Sequence, residues 1–295
     1  MVGNHLLHTR RYRAPPPQLL PFWARPSIHT DESSRPGGFK VTQSGTVADQ
    51  INYFDDIAED YERVRGTEIW PSLLHTIRSV APNPQRVFDV ATGTGLLSVR
   101  LAEEGFHVIG LDQNPHMLAQ AIRKAKQQAC PFQGILGLAE QLPLPGTSVS
   151  VMFSTNAIHH FDLQAHFREV QRVLKPGGCY IVYTRFRKHN ARSIWGRLFP
   201  HFTEKETRLY NPEDFQRLEA EYPGLALESL EELSFKKPFS RDRLLQIARR
   251  RKYSTFAFYG EEEFLRAFAT FRSRLESWSD NFYLAEIGRI VFRRR

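Results

Sequence analysis

The sequence predicts an α/β fold, an open and mostly parallel sheet with helices on both faces. Three observations carry this reading. An apolar run at Val87, Phe88, Val90 and Ala91 reads as a buried strand, and it stops at the small residues Thr92-Gly93-Thr94-Gly95, where the chain can turn tightly. A helical pattern follows, with Leu96, Leu97, Val99, Leu101 and Ala102 apolar, and closes at Gly105. A second apolar run, His107 to Leu111, then ends on Asp112. Strand, glycine turn, helix, strand and acid is the layout of a mononucleotide-binding half-unit. Small residues let the backbone approach a ligand closely, and the helix start presents free N–H groups. The acid after the second strand can accept both hydroxyls of a ribose, so the unit is expected to hold an adenosine.

Composition narrows the class. A chain of 295 residues accommodates one large domain or two small ones, with ample length for a full core. Its two cysteines, Cys130 and Cys179, exclude a disulfide framework and are too few for a cysteine zinc site. No apolar run approaches the roughly 20 residues needed to span a bilayer, so a soluble, cytoplasmic protein is expected. The net charge of +8 is uneven: +4 over residues 1–48, −4 over 49–235 and +8 over 236–295. The basic runs Arg249-Arg250-Arg251-Lys252 and Arg293-Arg294-Arg295 suit contact with nucleic acid or anionic lipid, or are solvated element ends.

Residues 1–48 differ from the rest. Pro15-Pro16-Pro17, Pro21, Pro26 and Pro36-Gly37-Gly38 forbid a regular element over most of this length, which reads as a disordered, basic leader. No acid precedes Asp31, whereas Arg10, Arg11, Arg13 and Arg25 are basic, so organelle import stands as the alternative to a cytoplasmic location. Order is expected from Asp49, where Ile51, Phe54, Ile57, Ala58 and Tyr61 share one helical face. Trp70-Pro71 opens a second helix through Leu73, Leu74, Ile77 and Val80 to the break at Pro82.

Beyond Asp112 and Gln113, Asn114 can cap a helix with Pro115 at its first position, and Met117, Leu118, Ala121 and Ile122 supply its apolar face. A third strand is expected near Gln133 to Leu138, and a fourth at Val149 to Phe153. The segment after it, Ser154 to Phe161, leaves the carboxyl edge of the sheet, where ligands bind in open α/β folds. A helix from Leu163 to Leu174 is expected to cap at Lys175-Pro176-Gly177-Gly178, and a strand runs on to Tyr183. Arg185 to Phe202 is basic and aromatic, a candidate flap over a substrate. Pro212 opens a helix ending at Pro223-Gly224, and Leu225 to Phe235 forms a sixth strand. Two helices, Arg241–Lys252 and Glu261–Leu275, flank the aromatic run 253–260, and a seventh strand from Phe282 to Phe292 closes the sheet by a hairpin-like return.

The turn at Asp89-Val90-Ala91-Thr92-Gly93-Thr94-Gly95 resembles the first motif of class I S-adenosylmethionine-dependent methyltransferases, roughly D-x-G-x-G-x-G, with Ala91 in the first glycine place. Gly137-Leu138-Ala139-Glu140-Gln141-Leu142-Pro143 is similar to that family's G-D-A-E-x-L-P, Asn156-Ala157-Ile158-His159-His160-Phe161 to its N-A-x-H-H-F, and Arg172 to Gly178 to its R-V-L-K-P-G-G. These strings occur in the family's order over about residues 49–185. The resemblance implies a Rossmann-like sheet of seven strands with the last antiparallel, and S-adenosyl-L-methionine as cofactor.

By resemblance, Asp89, Ala91, Thr92, Gly93, Gly95, Asp112, Gln113, Met117, Ala139, Glu140 and Asn156 touch that cofactor. In the lead helix, Phe54, Asp55, Ala58 and Tyr61 match F-D-x-x-A-x-x-Y, and Arg65 is the candidate for the methionine carboxylate; an amphipathic cap with a packed Tyr61 is the other reading. Leu138 stands where the family has an Asp for the adenine amino group, leaving the backbone at Ala139, or Glu140, to read the base. His159 and His160 are the candidate proton acceptors, or they simply orient their loop; no metal is expected.

The domain plan that follows is a leader over 1–48 and one methyltransferase domain over 49–295, with cap helices in 49–85, the cofactor-binding core in 86–185 and substrate-side helices and closing strands in 186–295. The expected reaction is methyl transfer to an O, N or C atom of a small-molecule acceptor, lined by Phe256, Phe258 and Tyr259 or with these in the core. The alternatives are an RNA or protein methyltransferase using the basic C-terminal region, a non-catalytic adenosine-cofactor scaffold, and an NAD-dependent oxidoreductase. Against the last stand Asp89, Ser98 and the lack of a Tyr-x-x-x-Lys pair.

Overall fold

A computed structural model describes residues 68–80 and 86–295. The leader, the lead helix and its Phe54, Asp55, Ala58, Tyr61 and Arg65 lie outside the described residues.

Seven strands form one sheet in the order β3-β2-β1-β4-β5-β7-β6. Strands β1 (Arg86–Val90), β2 (His107–Asp112), β3 (Phe132–Leu136), β4 (Val149–Thr155) and β5 (Leu174–Thr184) pair in parallel. β7 (Phe282–Arg294) runs antiparallel between β5 and β6 (Leu225–Pro238), as a closing hairpin return requires. The chain winds outward from β1 to β3 and then returns to place β4 beside β1. That reversal opens a crevice at the carboxyl ends of β1 and β4, the position where doubly wound folds bind ligands.

Successive residues of the inner strands face opposite layers. Phe88, Val90, Met152, Tyr180 and Val182 pack with Phe167, Val170 and Phe215 from α4 (Leu163–Val173) and α8 (Pro212–Glu221). Val87, Val151, Phe153, Ile181 and Tyr183 meet Leu73, Ile77 and Leu101 from α1 (Trp70–Val80) and α2 (Ser98–Glu103) on the other face. Both faces of β1 are therefore buried, and only Arg86 at its start is exposed. The third helix, α3 (Pro115–Gln127), begins as expected: Asn114 Oδ1 accepts from the Met117 N–H at 2.9 Å, with Pro115 following the cap.

A third core lies under a helical roof. The basic-aromatic stretch after β5 folds into three short helices, α5 (Arg187–Arg192), α6 (Ile194–Leu198) and α7 (Phe202–Lys205). Their Trp195, Phe199 and Phe202 interleave with Leu244 and Ile247 of α9 (Arg241–Arg249), Phe256 of the 3-10 turn Ser254–Phe258, and Phe264 and Phe271 of α10 (Glu261–Glu276). Trp195 stacks on Phe271 with ring centroids 5.2 Å apart, and Phe199 meets Phe256 at 4.9 Å.

Several boundaries depart from the sequence reading. Ala91 belongs to the turn, with φ at 61°, and α2 starts only at Ser98. β3 ends at Leu136, short of Leu138. The glycines Gly177 and Gly178 do not cap α4. Leu174 is already extended and pairs with Val149, and the next pair is Val151 with Cys179, so residues 175–178 bulge from β5. Gly177 has φ at 75°, and a Cβ on Gly178 would stand 2.9 Å from the Lys175 carbonyl oxygen and 3.1 Å from that of Ser150. A strand carbonyl row, not a helix end, demands glycine here.

Candidate active site

Two confluent cavities occupy the crevice, and Ala91, Gly93, Thr155 and Asn156 border both. The first, about 800 Å³ with its open mouth included, lies between Asp112, Met117, Gly137, Ala139 and Phe161. The second, about 1280 Å³ on the same measure, runs beneath the roof past Asp89, His159, Arg185, Asn190 and Tyr253.

The turn after β1 is built for close approach. Thr92 N–H donates to the Leu111 carbonyl at 2.9 Å, tying the turn to β2. Ala91, Gly93 and Gly95 all take left-handed backbone, with φ of 61°, 56° and 74°. Alanine pays about 1 kcal/mol or more for that conformation, which explains why a glycine suits its place better. Gly95 lines neither cavity. A Cβ there would stand 2.8 Å from Ala121 Cβ and 3.0 Å from Val99 Cγ2, so its work is to let α3 pack against the turn.

Asp112 is buried, and each carboxylate oxygen already accepts one backbone N–H: Gly93 to Oδ2 at 2.7 Å and Asn114 to Oδ1 at 2.9 Å. Burial pushes its pKa up, and the N–H groups of Asn114, Gly93 and Gln113 pull it back. Three N–H groups converge on a carboxylate with about four acceptor sites, and the side chain borders the first cavity. The carboxylate thus locks the glycine turn to the end of β2 while keeping a face open.

Asp89, at 2% exposure, is as deeply buried as the apolar residues beside it on β1. Ser98 Oγ donates to Oδ2, and Thr92 Oγ1 donates to Ser98 Oγ at 2.9 Å. Oδ1 has no hydrogen-bond partner. Desolvation raises its pKa to about 7, against the pull of the Ser98 and Thr92 hydroxyls, and the Asp112 charge adds to the rise. A buried carboxyl with an unused oxygen beside a cavity is ready to face a cationic group.

The 137–143 loop is held from α4. His166, fully buried, bridges the Ala139 carbonyl through Nδ1 at 2.9 Å and Tyr180 Oη through Nε2 at 2.8 Å. Burial lowers its pKa to about 4. Glu169 accepts from the Leu142 N–H at 2.7 Å, and Glu140 accepts from the Asp162 N–H at 2.9 Å. Ala139, Glu140, Gln113 and Met117 border the first cavity; Leu138 borders neither and is 48% exposed.

Asn156, at φ 51°, stands at the junction and its N–H donates to the Tyr183 carbonyl at 2.7 Å. The two histidines part company: His160 faces the first cavity and His159 the second. Arg208 Nη1 lies 3.3 Å from His160 Nδ1. Arginine can only donate, so this nitrogen accepts and the ring proton sits on Nε2. His160 is set as a donor in this arrangement rather than a base.

Phe256 and Tyr259 belong to the third core, while their neighbours Tyr253, Ser254 and Thr255 border the second cavity. A buried polar cluster among these was not legible in the sequence. Glu206 and Arg208 form a bidentate pair at 2.9 and 2.6 Å, Thr255 Oγ1 donates to Glu206 at 2.6 Å, and Arg208 donates to Ser254 Oγ at 2.9 Å. The salt link and its hydrogen bonds hold the Glu206 carboxyl below the usual carboxylate range despite burial. Spaced two apart in a polar stretch, both residues read as ordinary surface charges; only the roof's packing buries them. Among the described residues no cluster of three metal-ligating side chains occurs.

Comparison with known proteins agrees with this geometry. A family model described as a methyltransferase domain matches residues 87–178. An uncharacterized methyltransferase of Mycobacterium tuberculosis is 40% identical over 94 residues, 32% of this chain and 37% of that protein. The demethylmenaquinone methyltransferase of Chlorobaculum tepidum is 39% identical over 108 residues, 36% of this chain and 43% of that protein. The chain thus spans about two fifths of the length of these relatives. Among solved structures, the [4+2]-cyclase SpnF superposes with a TM-score of 0.59 at 15% identity, covering 85% of this chain and 96% of that one. A phosphoethanolamine N-methyltransferase of Haemonchus contortus, solved with S-adenosylhomocysteine, gives 0.53 at 22% identity, covering 84% and 58%. Over residues 87–178, about a third of its length, this chain is therefore similar to methyltransferases.

Proposed function

We propose that the chain transfers a methyl group from S-adenosyl-L-methionine to an O, N or C atom of a small acceptor held under the roof. The observation that carries this is the pair of confluent cavities, one framed for a nucleoside and the other a separate polar chamber, meeting at Gly93, Thr155 and Asn156.

The residues present fit the cofactor. Asp112 borders the first cavity with acceptor capacity left for a ribose hydroxyl, and Met117, Ala139 and Gln113 border the space for the adenine, with Glu140 at its rim. Ala91, Thr92, Gly93 and Asn156 would border the methionine arm, Gly95 would act by seating α3, and the unpartnered Oδ1 of Asp89 would face its cationic end. Tyr61 and Arg65 stay proposed for the cofactor's cover and its carboxylate. When bound, the cofactor supplies a methyl group already activated by a positively charged sulfur. The chain's own task is then to orient the acceptor in line and exclude water. His160 would donate through Nε2, and His159 is the histidine placed toward the acceptor.

An RNA acceptor has less support. Arg293 pairs with Glu228 at 2.8 Å, Arg295 with Glu219 at 2.7 Å, and Arg251 with Glu261 at 2.6 Å, while Lys252 is buried, so much of the basic charge is committed within the fold. No helix among the described residues is long and apolar enough to cross a membrane.

The test is thermal unfolding with S-adenosylmethionine, S-adenosylhomocysteine or NADH. A ligand at about a hundred times its Kd should stabilise by roughly 2.7 kcal/mol. Stabilisation by the first two alone supports the reading, and release of labelled methyl to an acceptor completes it. Stabilisation by NADH alone, or by none, refutes it.

A further inference from the structure

The charges around the second cavity balance, with one exception among the described residues. Glu68 pairs with Lys237 at 2.9 Å, Glu286 with Arg192 at 2.6 Å, and Glu206 with Arg208 at 2.6 Å. Asp89 is held near neutrality by burial. Arg185 is the cation left over. It follows directly on the carboxyl end of β5, is half-buried in the cavity wall, and has no described carboxylate within ion-pair distance; its guanidinium carbon lies 5.9 Å from the centre of the Tyr253 ring. An aromatic face offsets only part of the cost of drawing a cation out of water.

In the helix that follows, Asn190 borders the same cavity at 2% exposure, and its amide nitrogen has no hydrogen-bond partner. Buried amides are ordinarily satisfied, and an orphan donor in a cavity wall calls for an acceptor atom. Among the polar lining, Leu209, Phe235 and Ile287 supply apolar surface.

We infer that the acceptor chamber takes a substrate with an apolar body and an oxyanion group, a carboxylate or a phosphate, gripped by Arg185 and completed by the Asn190 amide. The guanidinium fork matches either group with two parallel N–H···O bonds. This rests on the methyltransferase reading, because it makes the second cavity the acceptor's. Arg185 is a specificity residue here: it holds the substrate's far end and takes no part in bond making.

The full chain is saturated with S-adenosylhomocysteine and probed with benzoate, phenyl phosphate and neutral benzamide by saturation-transfer NMR and calorimetry. One of the two anions should bind, benzamide should not compete with it, and the tighter anion identifies carboxylate or phosphate as the natural group. Arg185→Gln should weaken the anion about tenfold or more, with Arg185→Lys in between because it keeps the charge and loses the fork. Asn190→Ala should weaken it by a smaller factor, and affinity for S-adenosylhomocysteine should stay within about twofold of the parent throughout.

The inference is overturned if neither anion binds, if benzamide binds as well, or if Arg185→Gln leaves anion affinity unchanged. It is also overturned if Arg185→Gln weakens S-adenosylhomocysteine and the anion by the same factor, since Arg185 would then serve the cofactor's own carboxylate. Failure of the parent chain to bind S-adenosylhomocysteine at all would instead strike the methyltransferase reading itself.

Discussion

Replacing Asp89 by Asn tests the electrostatics of the crevice directly. The carboxyl is 2% exposed and titrates at about 7, against 3.8 for the ordinary group. In that interval the folded chain keeps a proton that the unfolded chain has lost. The stabilising effect is therefore complete below pH 3.8 and disappears as the pH rises through about 7. The interval corresponds to about 4 kcal/mol at full ionisation. Asparagine retains the shape and accepts from Ser98 Oγ without titrating. The assay is urea unfolding of parent and variant, both without cofactor, from pH 5 to 8.5. The difference between them cancels every group they share, so Asp89→Asn should gain about 3 kcal/mol on the parent between pH 5 and 8.5, most of it below pH 7. A cationic ligand facing Asp89 would draw off the proton, so affinity of the parent for S-adenosylmethionine should rise toward pH 8, and that of the variant should not. Parallel stability curves for the two proteins would refute the argument, whatever happened to activity.

Other outcomes follow from neighbouring contacts. Gly95→Ala places a methyl 2.8 Å from Ala121 Cβ on a left-handed backbone, so denaturant unfolding should show a loss of about 3 kcal/mol. His166→Phe orphans the Ala139 carbonyl and the Tyr180 hydroxyl, at a cost of about 1–3 kcal/mol for each buried group. Because the neutral ring at pKa about 4 gives stability that is full above 6.5 and lost as the pH falls toward 4, that variant should also lose part of the parent's acid sensitivity in the same unfolding series. Glu206→Gln strands a buried arginine and should destabilise by about 3–5 kcal/mol, checked by urea unfolding with circular dichroism.

What the sequence made legible is what is local. The β1–turn–α2–β2 unit, the Asn114 cap and the opening of α8 at Pro212 depend on neighbours a few residues apart, and each appears in the order its pattern gives, with only the edges of β1 and α2 shifted. The same local logic misread Lys175-Pro176-Gly177-Gly178 as a cap, because the carbonyls that crowd Gly178 belong to β4 and the bulge itself, while Gly177 is needed for its positive φ. It also could not foresee the roof. Arg208 meets Ser254 across 46 residues of chain and Thr255 meets Glu206 across 49, so neither pairing leaves a periodic trace. Likewise, the close packing of Ala121 against Gly95 is set by the tertiary structure and leaves no mark in the glycine motif.

The stretch between β6 and β7 leaves the sheet at Phe239 and rejoins it at Asn281, and the N–H of the first donates to the carbonyl of the second at 2.8 Å. A segment whose two ends touch is a cassette, and the sheet holds only its clasp. Doubling or halving its length would alter the entropy of closing it by only about 0.6 kcal/mol. Tyr253, Ser254 and Thr255 reach the second cavity from inside that cassette, whereas Asp89, Asp112 and the glycine turn lie wholly outside it. The architecture therefore uncouples two inheritances, so that one wall of the second chamber can be exchanged between chains without disturbing the strands that frame the first.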